Sequence, residues 1–514
     1  MLLFYLVFIP FLTGIICWCS ECINKVLPRW FALIGIGVTF IITLALCVQS
    51  GKYMLDVVQC SVSSHWQKEY VWSWVSRFDI NFRLALDGLS LLMVMLSGFL
   101  GVLSVLCSWK EVRRQVGFFY FNLLWLISCV IAVFLSIDMF CFFLFWEMMI
   151  FPMYLLISLW GHKFSNVEIR IQAAVKFFIY SQISGLVMLV AILGLVFVNY
   201  NVNGVWTFNY DNLLFVSMPI HIEYLLMLGF FVAFAVKLPI IPFHGWLSDA
   251  HSESPTAGSV DLSGILLKIA AYGLFRFNLP LFPNASRGFS FIGIFLGVIS
   301  IFYFAWISFS QTDIKRLIAY SSMSHMGFIL LAVYSGDLLA YQGAVIHIVA
   351  HSLSTAGMFI LCGQLFERIH IRDMRIMGGL WDKLHLIPGL SLLFSICMLG
   401  LPGTGNFIGE VMILFGLFHT YPVIASISAF GSIFASVYSL IFIHRIYYGI
   451  SKINNNYSSL SFSLLSFREQ VIIFPLLFFV ICLGFFPQPV IDISFISMNN
   501  IYKCFKNVVR FPVP

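Results

Sequence analysis

Apolar runs of about 20 residues recur along nearly the whole sequence, and each is long enough to cross the hydrocarbon of a bilayer as a helix. About fourteen such runs lie near 2–18, 30–49, 86–108, 118–136, 139–160, 172–198, 223–241, 257–278, 289–308, 316–335, 341–364, 386–415, 421–447 and 471–490. In lipid a spanning segment must satisfy its own backbone, so each run is predicted to be helical. A membrane barrel would alternate apolar and polar residues over strands of about ten, and no such alternation is present. Composition agrees: 61% of residues are hydrophobic and 10% are charged, whereas soluble domains carry about 25% charged residues. The expected fold class is an all-α polytopic membrane protein.

Lys and Arg in the connecting loops orient such a chain. With the N-terminus outside, seventeen fall on the cytoplasmic side, among them Lys163, Lys315, Arg368 and Lys452. Nine fall outside, including Arg83, Arg276 and Arg510. Both termini are therefore expected on the outer side. The formal charge of +6 reflects this bias. No basic stripe interleaved with aromatics is present, so nucleic acid is not an expected partner.

The N-terminus lacks the basic segment and small-residue cleavage site of a signal peptide. Cys17, Cys19 and Cys22 cluster closely enough to suggest a metal or iron–sulfur site, but no fourth ligand is evident and none is assigned. The largest expected extramembrane pieces are 50–85 and 366–385. A chain without a nucleotide loop or sizeable water-soluble part is poorly suited to bind NADH or ATP, so its energy must come from an ion gradient or a partner.

Two runs are interrupted. One reads Lys-Leu-Pro-Ile-Ile-Pro-Phe-His-Gly from Lys237; the other reads Gly-Leu-Pro-Gly-Thr-Gly-Asn from Gly400, with Glu410 beyond it. Pro removes a helix hydrogen bond and Gly loosens the chain. Broken helices persist in a membrane only where protein or water satisfies the freed backbone, and paired breaks in two halves point to a transport site. Glu410 follows Lys237 by 173 residues, which is five spans. An odd offset reverses direction, so the halves read as an inverted repeat. The plainer reading is that Pro and Gly are common in membrane helices.

Four charges lie deepest in apolar surroundings: Glu147, Lys237, Lys268 and Glu410. Intramembrane ionisable groups are costly and mark ion pathways by default. The competing readings are a static ion pair or a snorkelling Lys, the latter stronger for Lys237, which is nearer the end of its run. Burial drives both carboxyl and amine toward neutrality, where proton uptake and release become feasible, and a Glu that approaches or leaves a Lys switches it between holding and releasing a proton. His244, His325, His347 and His351 are candidate bridging relays; buried structural histidine is the second reading. His347 and His351, at i and i+4, could also chelate a metal, but the His-Glu-x-x-His pattern is absent and no metal is assigned. His162, His370, His385 and His419 read as loop or interface residues and are assigned no role. The polar stretch His244–Ala257 reads either as a proton entry or as a helix start capped by Ser254 before Pro255.

These residues carry a resemblance. The segments Leu-Asp-Gly-Leu-Ser (86–90), Leu-Cys-Ser-Trp-Lys (106–110), Phe-Trp-Glu-Met-Met (145–149), Lys-Leu-Pro-Ile-Ile-Pro-Phe-His-Gly-Trp-Leu (237–247), Asp-Ala-His-Ser-Glu-Ser-Pro-Thr (249–256) and Leu-Pro-Gly-Thr-Gly-Asn-Phe-Ile-Gly-Glu (401–410) resemble the antiporter-like subunits of proton-pumping NADH:quinone oxidoreductase. Trp160–Lys163 and Glu410 narrow the likeness to the M type, the counterpart of mitochondrial subunit 4. The resemblance implies fourteen helices with two inverted five-helix repeats: helices 1–3 in 1–117, the repeats in 118–280 and 281–450, and a last helix and tail in 451–514. It implies that Lys237 is a switch, Glu147 its ion-pair partner, Lys268 a central relay and Glu410 a distal exit group. It implies no redox centre in this chain, with FMN, iron–sulfur clusters and quinone in partner subunits, and sister antiporter-like subunits on both sides. The implied location is a bacterial inner membrane rather than a mitochondrial one, with periplasmic termini. The variable Asn454–Asn456 stretch departs from nothing essential. A multisubunit cation/proton antiporter and a structural anchor of the membrane arm are the alternatives.

Overall fold

The computed structural model describes residues 1–57, 66–161, 167–214, 216–449 and 464–506. His162, Lys163, Lys452, Asn454–Asn456 and Arg510 lie outside the described residues. Among those described, thirteen helices are long and apolar enough to span a membrane. A further pair, Ile387–Leu399 and Gly405–Thr420, is one apolar run divided by a turn. The chain is an all-α polytopic membrane protein.

Burial sorts the helices into a rim and a centre. Val167–Asn203 turns Ile183, Val190 and Phe197 outward at seven-residue spacing, each more than half exposed; this is a two-turn stripe suited to lipid. By contrast, Thr256–Leu281 and Leu338–Ile369 are enclosed on every side. Burial all round is what a central helix needs, and here that centre also holds the polar side chains.

Several sequence expectations are revised. The 50–85 stretch is not simply a loop: helix Leu27–Val57 extends into it, and an antiparallel hairpin pairs Lys68–Val75 with Ile80–Leu86. Phe82 of the hairpin packs against Phe4 and Phe8, seating it on the first helix. Gln488–Lys506, expected as tail, is an amphipathic helix that buries Val490, Ser494, Met498, Ile501 and Phe505. Lys315, Arg276 and Arg368, read as loop cations, are buried within helices. Several helices are longer than the apolar runs that revealed them, because a protein neighbour supplies what lipid cannot: Arg276 pairs with Asp87 and Arg368 with Glu469.

Ser254 is not an N-cap. The His244–Ala257 stretch contains its own short helix, Leu247–Glu253, which Ser254 terminates. The next helix is instead met by Glu111 from across the bundle, whose Oε1 accepts from the Thr256 amide at 3.1 Å. Cys17 is buried with its thiol on the Pro28 carbonyl, while Cys19 and Cys22 are exposed. His370, His385 and His419 are exposed, the last of them at the end of helix Gly405–Thr420 rather than in a loop.

Candidate functional site

Helix Ile220–Lys237 stops at Lys237 because Pro239 and Pro242 have no amide hydrogen to continue it. The carbonyl of Val236 that the break frees is taken up by the indole Nε1 of Trp246 at 2.9 Å. Lys237 is 1% exposed, and its Nζ has no hydrogen-bond partner among the described residues. The ammonium faces the rings of Phe177 at 5.1 Å and Trp146 at 5.7 Å, distances at which a cation is attracted to an aromatic face. Glu147 follows Trp146 in helix Met139–Met148; Gln182 lies beside its carboxylate, but neither oxygen has a well-aligned hydrogen bond among the described residues. Its tip fills the space left by Gly185, where a Cβ would fall 1.5 Å from Oε1. Glu147 and Lys237 lie within electrostatic reach of one another. The ion-pair contact that the resemblance implied is nevertheless not formed within 4.0 Å among the described residues.

Lys268 lies halfway along Thr256–Leu281 and is fully buried. Two π-helical turns, Leu262–Leu266 and Leu274–Asn278, flank its own turn; such irregularities are frequent at functional sites. Its Nζ donates to the Ser263 carbonyl at 2.5 Å and meets His351 Nδ1 at 2.9 Å. The rings of His351, His347 and His325 form a triangle with centroids 5.3–5.7 Å apart. His325 Nδ1 stands 3.0 Å from Glu410 Oε1, a close approach without hydrogen-bond alignment, and its Nε2 meets the Tyr438 hydroxyl at 2.8 Å.

Glu410 rides on Gly405–Thr420, just beyond the second break. Gly400 ends the preceding helix with φ +72°, a left-handed conformation that glycine adopts without steric cost. Here too a side chain repairs the backbone: the Asn406 amide donates to the Cys397 carbonyl at 2.8 Å.

The structure thus brings Lys268, His325, His347, His351 and Glu410 together, and holds Glu147 near Lys237 as a second centre. His244 joins neither group. It is half-buried, edge-on to Phe304 at 4.9 Å, on the turn beside Lys176. His325, His347 and Glu410 each present one donor atom within 4.8 Å of the others, a nitrogen–oxygen set of the kind that suits zinc.

Sequence reasoning missed three buried groups. Lys315 Nζ donates to the Ser254 carbonyl at 2.7 Å and approaches Ser259 Oγ at 3.4 Å. His251 is fully buried, stacks on Phe359 at 4.5 Å and lies within electrostatic reach of Lys268 and Lys315. Asp261 is fully buried with Oδ1 on the Ser104 hydroxyl at 2.6 Å and Oδ2 unpartnered. A signal was available for Asp261 and His251: they stand at −7 and −17 from Lys268 in a polar segment leading into an apolar run.

Residues 136–436 match a family described as NADH:quinone oxidoreductase/Mrp antiporter, TM. The chain is 59% identical over its whole length, and the whole of the relative's, to NADH-quinone oxidoreductase subunit M of Escherichia coli strain K12. It is 55% identical to the Pseudomonas aeruginosa subunit M, with 98% of each chain covered. The chain belongs to the NADH-quinone oxidoreductase subunit M family. Among solved structures, respiratory complex I from Thermus thermophilus with bound NADH superimposes with a TM-score of 0.84 at 24% identity, covering 98% of this chain and 100% of that one. A membrane-bound sulfane sulfur reductase of an archaeal respiratory complex gives 0.79 at 21% identity, covering 93% and 75%. These two likenesses establish a shared fold.

Proposed function

We propose that this chain is a proton-translocating membrane subunit of an NADH:quinone oxidoreductase, and that its buried Glu, Lys and His groups are the path the proton takes. The carrying observation is the polar line Lys268–His351–His325–Glu410, enclosed in an otherwise apolar bundle. Lys268 hands a proton to His351 across 2.9 Å. The His351 and His325 ring centroids lie 5.3 Å apart, and the proton crosses between them by ring reorientation or through a bridging water. His325 then serves Glu410. Lys237, held by aromatic faces and the nearby Glu147, acts as the switch: when Glu147 moves closer, Lys237 keeps its proton; when it moves away, Lys237 gives the proton up.

Redox chemistry takes place in partner subunits that carry FMN, iron–sulfur clusters and quinone, and sister antiporter-like subunits flank this one. The family description includes Mrp antiporters, but the full-length relatives are NADH-quinone oxidoreductase subunits, which favours the respiratory reading over a separate antiporter. The chain is a multi-pass protein of the inner membrane. We place both termini on the periplasmic side; the Lys and Arg bias supports this even after the buried Lys315, Arg368 and Arg276 are set aside. The segments 118–280 and 281–450 form the two inverted repeats: each holds five spans, and the break with its key charge falls in the fourth span of each.

The test is Lys237→Ala in membrane vesicles, with assembly checked by native gel and by NADH oxidation with an artificial acceptor. Pumping and quinone-linked turnover should both collapse in normally assembled enzyme. Persistent pumping would make Lys237 structural and remove it from the path.

A further inference from the structure

From Lys268 the helix continues one turn to Tyr272 and then into the second π-helical turn at Arg276, whose guanidinium lies 5.8 Å from the Tyr272 ring. At 1.5 Å per residue, Arg276 lies about 12 Å beyond Lys268, away from the end where Lys315 meets Ser254. The proton path proposed above does not use it. Arg276 is paired with Asp87, and both are buried. Asp87 caps helix Gly88–Glu111 by accepting from the Ser90 amide at 2.9 Å. Tyr272 closes the layer beneath: its hydroxyl donates to the Phe134 carbonyl at 3.0 Å and meets Ser90 Oγ at 3.0 Å. The Trp66 ring covers the guanidinium at 5.0 Å, and the Tyr210 hydroxyl donates to the Arg276 carbonyl at 2.9 Å. Five chain segments, holding Trp66, Asp87 with Ser90, Phe134, Tyr210 and Tyr272 with Arg276, therefore converge at the hairpin end of the bundle.

A proton on Lys268 can be pumped only if it cannot slip out along its own helix. A buried pair removes both ways of doing so: the guanidinium stays charged and repels an approaching proton, while the carboxylate, already engaged by Arg276 and the Ser90 amide, offers no ready acceptor. We infer that Asp87–Arg276, backed by Tyr272, is a seal that closes the hairpin end of the Lys268 half-channel and sends its proton sideways toward Glu410. This inference rests on the proposed role of Lys268 in the path.

The experiment uses the complete enzyme in vesicles without NADH, with a potassium diffusion potential set by valinomycin to drive passive proton entry. Arg276→Gln removes the fixed charge and frees the Asp87 carboxylate to accept a proton, so it should raise passive proton flux at least about threefold above that of unaltered enzyme at equal assembly, while quinone-linked NADH oxidation continues with weakened pumping. Replacing Arg276 by Lys should leak less than replacing it by Gln, which loss of packing alone would not produce. An assembled Arg276→Gln enzyme no leakier than the parent would overturn the seal. If that variant does not assemble, Tyr272→Phe removes one hydroxyl from the same layer, and an unchanged flux there would overturn it equally. Adding Lys268→Ala to Arg276→Gln should abolish the leak; a leak that survives leaves the seal standing and removes Lys268 from the path.

Discussion

At the break after Lys237, the Trp246 indole takes up the Val236 carbonyl; at the break after Leu399, the Asn406 amide takes up that of Cys397. The backbone is repaired in the same way, yet the charges beside the two breaks live differently. Glu410 belongs to a connected set with His325, Tyr438, His351 and Lys268. Among the described residues Lys237 Nζ has no hydrogen-bond partner, and Glu147 has only Gln182 beside it. A buried charge without a partner is expensive, so the first centre is held by a balance of aromatic faces and distant attraction, a balance that small movements can tip. The second is held by contacts at hydrogen-bonding distance, an arrangement suited to passing a proton on. On the reading proposed above, the first centre switches and the second conducts.

Three substitutions test that contrast, in order of falling effect. Lys237→Arg keeps the positive charge but removes the ability to release a proton near neutral pH. Because proton-transfer groups are worth about 10²–10⁴-fold in rate, proton pumping in vesicles should fall at least about tenfold, as in Lys237→Ala. Wild-type pumping by the Arg variant would reduce the first centre to a fixed charge and end the comparison.

Gly185→Ala acts on the same centre without changing an ionisable group. Its Cβ would occupy the position of Glu147 Oε1, so the carboxylate must be displaced. Displacement of a group near the reacting atoms by about 1 Å can cost about 10²-fold; a flexible Glu should adjust enough to hold the loss of pumping to roughly threefold to tenfold. Unchanged pumping with normal assembly would show that the position of Glu147 does not matter.

Tyr438→Phe should have the smallest effect. It deletes one hydrogen bond to His325 Nε2, worth about 1 kcal/mol net, while Glu410 still approaches Nδ1. Quinone-linked turnover should fall about fivefold or less. A loss as large as that of Lys237→Arg would make the tyrosine a link in the conducting chain.

The sequence by itself determined that this chain spans a membrane many times as helices, because runs so long and apolar have no other stable state in lipid. It also located both breaks and the four deepest charges, since Pro, Gly and ionisable residues stand out against an apolar background. Tertiary structure alone decided which of these groups meet. Lys268 and His351 are 83 residues apart in sequence, and no local pattern announces that contact. Nor could the sequence separate Lys315 and Arg276 from loop cations: each sits at the margin of an apolar run, where hydropathy reads as loop, and only the neighbouring helices bury them. Asp87 illustrates the same limit. In the structure it caps the helix that begins at Gly88, but its pairing with Arg276, 189 residues away, exists because packing places the end of one helix beside the start of another.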